Sequence, residues 1–185
     1  FKDDTANAFA LPGGKIGVHT GILKVAKTPD QLAAVLGHEV GHVMARHGAE
    51  RVSEQTVAMG GLAAVAVFLG QQKGNENSTK NNLLLLGAMG LTQYGVMLPH
   101  SRSHESEADL IGLELMSDAG FDPKESVLLW ENMKADHGGK APPEWMSTHP
   151  SNDRRIQDLK GYLPRVADRY ARVLGAGKQP KCKIP

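Results

Sequence analysis

Residues 28–47, "TPDQLAAVLGHEVGHVMARH", are the stretch from which the fold can be read outward. Thr28 in the N-cap position, Pro29 at the first helical position and Gln31 three residues after the cap make a helix-start signal. The apolar spacing behind it predicts one helix over residues 28–55. On that helix His38 and His42 lie four apart, with Cβ atoms about 6 Å from each other, so both imidazoles can aim at one point while Glu39 sits a step around. The neighbours are apolar on both sides, so these polar groups lie in a largely buried helix, where an unpaired charge is costly and a bound metal removes the penalty. H-E-x-x-H is the zinc-peptidase pattern: the two histidines bind metal and the glutamate acts as general base on a water molecule. Taken alone, the pentapeptide also fits two surface histidines beside an incidental glutamate.

His47 follows His38 by nine residues, which on a continuous helix is about 180° around the axis, so we expect a structural, hydrogen-bonded role for it. The longer metzincin pattern fails, because Ala45 holds its glycine position and Gly48 its third histidine position. A catalytic zinc takes three protein ligands and keeps one position open. The third ligand is sought in "SHESEAD" (residues 103–109), where Glu105 and Asp109 share one helical face. Glu105 can ligate, and Asp109 can accept the second N–H of a ligating imidazole. Glu107 is turned by about 200° from Glu105 and reads as a solvated charge. The other reading of the pair is two solvated carboxylates near a helix N-terminus.

Around this centre, 185 residues suffice for one domain, which we take to span 1–185. "NAFALPGGKIGVHTGIL" (7–23) alternates small and apolar residues about Pro12-Gly13-Gly14, predicting an edge hairpin within residues 1–27. The apolar runs 57–70 and 83–98 each fall short of the roughly 20 residues needed to cross a bilayer. We read 57–98 as a buried helical hairpin; a pair dipping into a membrane interface is the other reading. A helix is expected over 101–119, stopping near Gly120, and C-terminal helices over 122–185, started by Asp122-Pro123 and by Ser151. The stretch 137–151 is a loop by its Gly and Pro content. The fold class is therefore α+β and mainly helical.

Formal net charge is +1, yet residues 151–185 carry nine Lys/Arg against three Asp. No aromatic interleaving or nucleic-acid motif accompanies this basic end, so we read a solvated face and no nucleic-acid partner. The single cysteine, Cys182, excludes an intramolecular disulfide and leaves the compartment open. The opening "FKDDTANAF" shows no signal peptide, as a mature or trimmed chain would.

"HEVGHVMARH", "ESEADLIGLELM" and "STHPSNDRRI" together resemble the CAAX-prenyl-protease and HtpX-like zinc metallopeptidases, gluzincins of peptidase family M48, especially their soluble, periplasmic branch. The resemblance covers nearly the whole chain. It implies a zincin-like fold with a small sheet along the active-site cleft, and one Zn2+ per chain held by His38, His42 and Glu105. It also implies Glu39 as general base, Asp109 as the carboxylate behind the ligands, His149 beside the metal as oxyanion donor or fourth ligand, and Arg155 near the cleft. The edge strand would take extended or unfolded polypeptides along Asn7–Ala10 by strand addition. The implied activity is endopeptidase cleavage of misfolded chains in the cell envelope. Lipid or membrane anchoring upstream of residue 1 is a further expectation, peripheral membrane association is a reading that rests on the basic end and the apolar hairpin, and the oligomeric state is open. A zinc-containing peptide-binding or chaperone module that rarely cuts is the alternative.

Overall fold

The computed structural model describes residues 1–11, 13–71, 78–92, 98–137, 149 and 153–184. Two antiparallel strands open the chain, β1 (Ala8–Leu11) and β2 (Lys15–Val18), with Ala8 opposite Val18 and Leu11 opposite Lys15. Gly13 and Gly14 turn the chain at φ 90° and 78°, conformations that cost glycine little. A 3-10 turn, Thr20–Lys24, leads to α1 (Pro29–Met44). The helix start is as expected: Thr28 Oγ1 accepts the Gln31 N–H at 3.1 Å. The Gln31 side chain does not return to the Thr28 amide; its oxygen accepts from Lys27 N–H, and its amide donates to Glu125.

The expected helix over 28–55 is interrupted. α1 ends at Met44, Arg46 takes φ 61°, and α2 (His47–Gln71) begins anew. A non-glycine residue pays a steric cost in that left-handed region, and no proline or glycine at 44–46 announces the break. α3 (Ser78–Gly90), α4 (Leu98–Asp118), α5 (Lys124–His137) and α6 (Asp153–Gly175) follow. α4 starts three residues before the expected 101 and stops where Gly120, at φ 84°, lets the Phe121 N–H reach Met116 O at 2.9 Å. Asp122 caps α5 through the Lys124 N–H. α6 runs through Pro164 to Gly175, well past the helix expected from "NDRRIQDLKGYL". Much of the 137–151 loop, the Ser151 cap, residues 72–77 of the apolar hairpin's tip and 93–97 of its second run lie outside the described residues.

The chain forms two compact units. One unites residues 1–45 and 105–185; its core joins Ile22, Val35, Leu113, Leu129, Trp130 and Leu159. Basic side chains of α6 are spent largely on acids of this unit, as in Lys160–Glu131 and Arg169–Glu114. The other unit, 46–104, holds the apolar runs. Their described residues are largely helical, in α2 and α3, with Asn81 Nδ2 donating to Leu69 O at 3.0 Å, and include strongly exposed apolar side chains: Val57 is 75% and Leu83 71% exposed. The α2 run is apolar on every side, so one neighbouring helix covers only part of it. Nor is the segment too short. Residues His47–Leu69 form one helix with an apolar stretch of mean hydropathy 1.5, long and apolar enough to cross a membrane.

Candidate metal centre

α1 carries His38 and His42, and α4 carries Glu105 and Asp109. What brings them together is a close helix crossing made of small residues. A Cβ on Gly41 would stand 2.6 Å from the Ala108 carbonyl oxygen, and one on Gly37 2.9 Å from that of Gly112. The spacing Gly37-x-x-x-Gly41 against Ala108-x-x-x-Gly112 is a signal our sequence reading missed. Alanine at position 41 would gain roughly 0.5–1 kcal/mol of helix propensity, yet it meets backbone that must move. We therefore expect Gly41→Ala to destabilise the protein by about 1–3 kcal/mol and to weaken metal uptake. Urea unfolding with metal analysis checks this; a more stable variant with full metal uptake would mean that the crossing does not set the site.

The crossing places His42 Nε2 at 3.0 Å from His38 Nε2 and 3.4 Å from Glu105 Oε1, with His38 Nε2 at 3.3 Å from Glu105 Oε2. His149 joins them: its Nδ1 stands 3.0 Å from Glu105 Oε2 and 3.1 Å from His38 Nε2. Ligating atoms of these four residues lie within 4.8 Å of one another. Behind them Asp109 Oδ1 is 2.9 Å from His38 Nδ1. A carboxylate there can only accept, so neutral His38 carries its hydrogen on Nδ1 and turns the Nε2 lone pair to the cluster.

A tetrahedral zinc site has bonds of about 2.0–2.1 Å to nitrogen or oxygen, and hence edges of about 3.3–3.4 Å. The separations above cluster at and just below that edge length, so the donor set fits a small tetrahedral cation. Electrostatics agree. Burial opposes a charged imidazole, but hydrogen bonds with Asp109 and Glu105 outweigh it and raise His38 to about 9. Burial alone would raise Glu105, yet hydrogen bonds from His149, His38 and His42 hold it well below the usual carboxylate range. The carboxylates thus draw positive charge to this point. His42, by contrast, is lowered, chiefly by burial.

Glu39, 4% exposed, stands beside the cluster. Its Oε2 accepts the Ala10 N–H of β1 at 3.2 Å, and its Oε1 is 3.5 Å from His149 Nε2. Arg155 is 2% exposed and lies under the carboxylates, donating to Asp109 at 2.6 and 2.8 Å and standing 3.1 Å from Glu105 Oε2. Its guanidinium stacks 4.0 Å over the Trp130 ring, an anchor the sequence did not disclose. That charge offsets burial and keeps Asp109 below its ordinary range. His47 is outside this cluster and stacks on His104 at 4.2 Å, while Glu107 is exposed.

The profile described as Peptidase family M48 matches residues 1–163. The chain is 44% identical over 167 residues to Mitochondrial metalloendopeptidase OMA1 of Schizosaccharomyces pombe, covering 89% of this chain and 46% of that protein. It is 34% identical over 169 residues to Metalloendopeptidase OMA1, mitochondrial, of Homo sapiens, covering 86% and 31%. The Beta-barrel assembly-enhancing protease of Escherichia coli K12 is 28% identical over 166 residues, covering 86% and 32%. The chain thus spans less than half the length of these relatives. With a profile matched across most of its length and a His-Glu-His helix crossed by a second, carboxylate-bearing helix, the chain belongs to peptidase family M48.

Proposed function

We propose that this chain is a zinc-dependent endopeptidase domain acting on extended or unfolded polypeptides. The observation that carries the proposal is Glu39, held beside the His38–His42–Glu105–His149 cluster and hydrogen-bonded to the edge of β1. His38, His42 and Glu105 would hold the ion. Zinc, when bound, supplies a Lewis acid for the attacking water and the scissile carbonyl. Glu39 takes the water's proton and delivers it to the leaving amine. Asp109 keeps His38 in the tautomer that faces the ion. Arg155, spent on Asp109 and Glu105, acts as a positioning residue, which leaves His149 as the one remaining candidate of the two for donating to the developing oxyanion.

The substrate track is the outer edge of β1, along Asn7–Ala10. His19 N–H pairs with Asn7 O, so by the alternation of an antiparallel ladder Ala8 and Ala10 turn their backbone groups away from β2. At Ala10 that direction leads to Glu39. A peptide laid there as an added strand brings its backbone towards the base, with little demand on its sequence.

His149 has a second capacity. Its Nδ1 sits among the three ligands, so in this arrangement it can complete a fourth bond and close the site to water. We expect His149→Ala to raise cleavage of unfolded substrates several-fold with zinc retained, because the blocking side chain is gone. A fall in turnover with zinc retained would assign His149 to the oxyanion instead, and unchanged turnover would remove both roles.

The exposed apolar stretch of α2 supports association with a membrane, and envelope quality control is the setting we propose for the activity. Co-sedimentation with anionic and neutral liposomes tests the first part; recovery wholly in the supernatant of both would overturn it. For the activity itself, casein digestion is measured with and without a chelator, alongside zinc analysis. Chelator-sensitive cleavage is expected. Zinc and peptide binding without cleavage would make this a binding module.

A further inference from the structure

A second cluster of ligand atoms lies in the 46–104 unit. Glu50 and Glu54 are four apart in the first turns of α2 and so share a face. His104, from the start of α4, brings Nε2 to 3.2 Å from Glu50 Oε2. One ligating atom from each of the three residues lies within 4.8 Å of the others. The histidine is the unusual member. It is only 5% exposed, and its ring lies nearly parallel to that of His47, at 18° and a centroid distance of 4.2 Å. Packing therefore holds a buried imidazole in one orientation, with Nε2 turned to the Glu50 carboxylate and a Glu54 oxygen in the same cluster.

An ion pair between His104 and Glu50 would need one carboxylate and a proton. The cluster supplies a second carboxylate within ligand reach, on a helix whose spacing keeps it there. From this we propose that Glu50, Glu54 and His104 form a second metal site, separate from the His38 cluster, that takes a divalent transition-metal cation. One imidazole and two carboxylates suit zinc and its first-row neighbours better than calcium or magnesium, which prefer oxygen donors alone. Glu50 is exposed and Glu54 half-buried, so the outer side of the site is open to water, which fills the remaining positions. The ion ties the first turns of α2 to the first turns of α4, two segments far apart in sequence.

The test is zinc stoichiometry. Full-length protein is stripped with a chelator, reloaded with excess zinc, passed through a desalting column and analysed for metal per chain. Wild type should hold two ions, the Glu50→Gln/Glu54→Gln double variant one, and the His38→Ala/His42→Ala double variant one. The glutamine changes are near-isosteric on a solvent-facing side, and circular dichroism checks that the helices persist. One ion in wild type, kept by the glutamine variant and lost by the alanine variant, would overturn the second site and leave the His38 centre standing. Two ions in the glutamine variant would likewise overturn it. A single ion lost only in the glutamine variant would support the second site and count against the first.

Discussion

Replacing Glu39 by glutamine is expected to lower hydrolysis of an unfolded protein by about 10²- to 10⁴-fold, the usual contribution of a general base. Metal content should not change. Glu39 is not one of the four clustered donors, and its carboxylate instead accepts the Ala10 N–H at 3.2 Å. Glutamine retains an oxygen for that hydrogen bond and nearly the same shape, so β1 stays against α1. What it loses is the ability to take a proton. Initial rates on casein, normalised to zinc per chain, measure the effect. Loss of zinc in the variant would make Glu39 a ligand, and an unchanged rate would place the base elsewhere.

The second large effect separates two glutamates two residues apart. Glu105 is 2% exposed and contacts His38, His42, His149 and Arg155. Glu105→Ala removes a proposed ligand and leaves part of the Arg155 charge uncompensated in a buried site, a kind of loss that costs about 3–5 kcal/mol. We expect this variant to lose metal and activity and to unfold at markedly lower denaturant. Glu107 is exposed on another face of α4, and Glu107→Ala should keep metal, activity and stability within about 0.5 kcal/mol. Metal analysis and urea unfolding of the pair decide the matter. If Glu107→Ala lost zinc while Glu105→Ala kept it, the ligand set would have to be redrawn.

The sequence by itself determined which residues could share a face. Cap chemistry at Thr28 and the four-residue step from His38 to His42 follow from local geometry, as does the step from Glu105 to Asp109, because helical periodicity is a property of the chain alone. The hairpin about Gly13-Gly14 and the stop at Gly120 were equally legible, since only glycine takes positive φ cheaply. Tertiary structure decided the rest. Arg46 enters the left-handed region and divides the predicted helix, a strain that local propensity opposes and surrounding contacts must sustain. The carboxylates reach the histidines because Gly37 and Gly41 let α1 approach Ala108 and Gly112, a fit of two surfaces that neither segment specifies alone. Arg155 lies between Trp130 and two carboxylates, Glu105 and Asp109, contacts that its place in the sequence does not specify. The apolar runs of α2 and α3 remain exposed, because hydrophobicity on every side of a helix names no partner, and covering it depends on what the fold brings near.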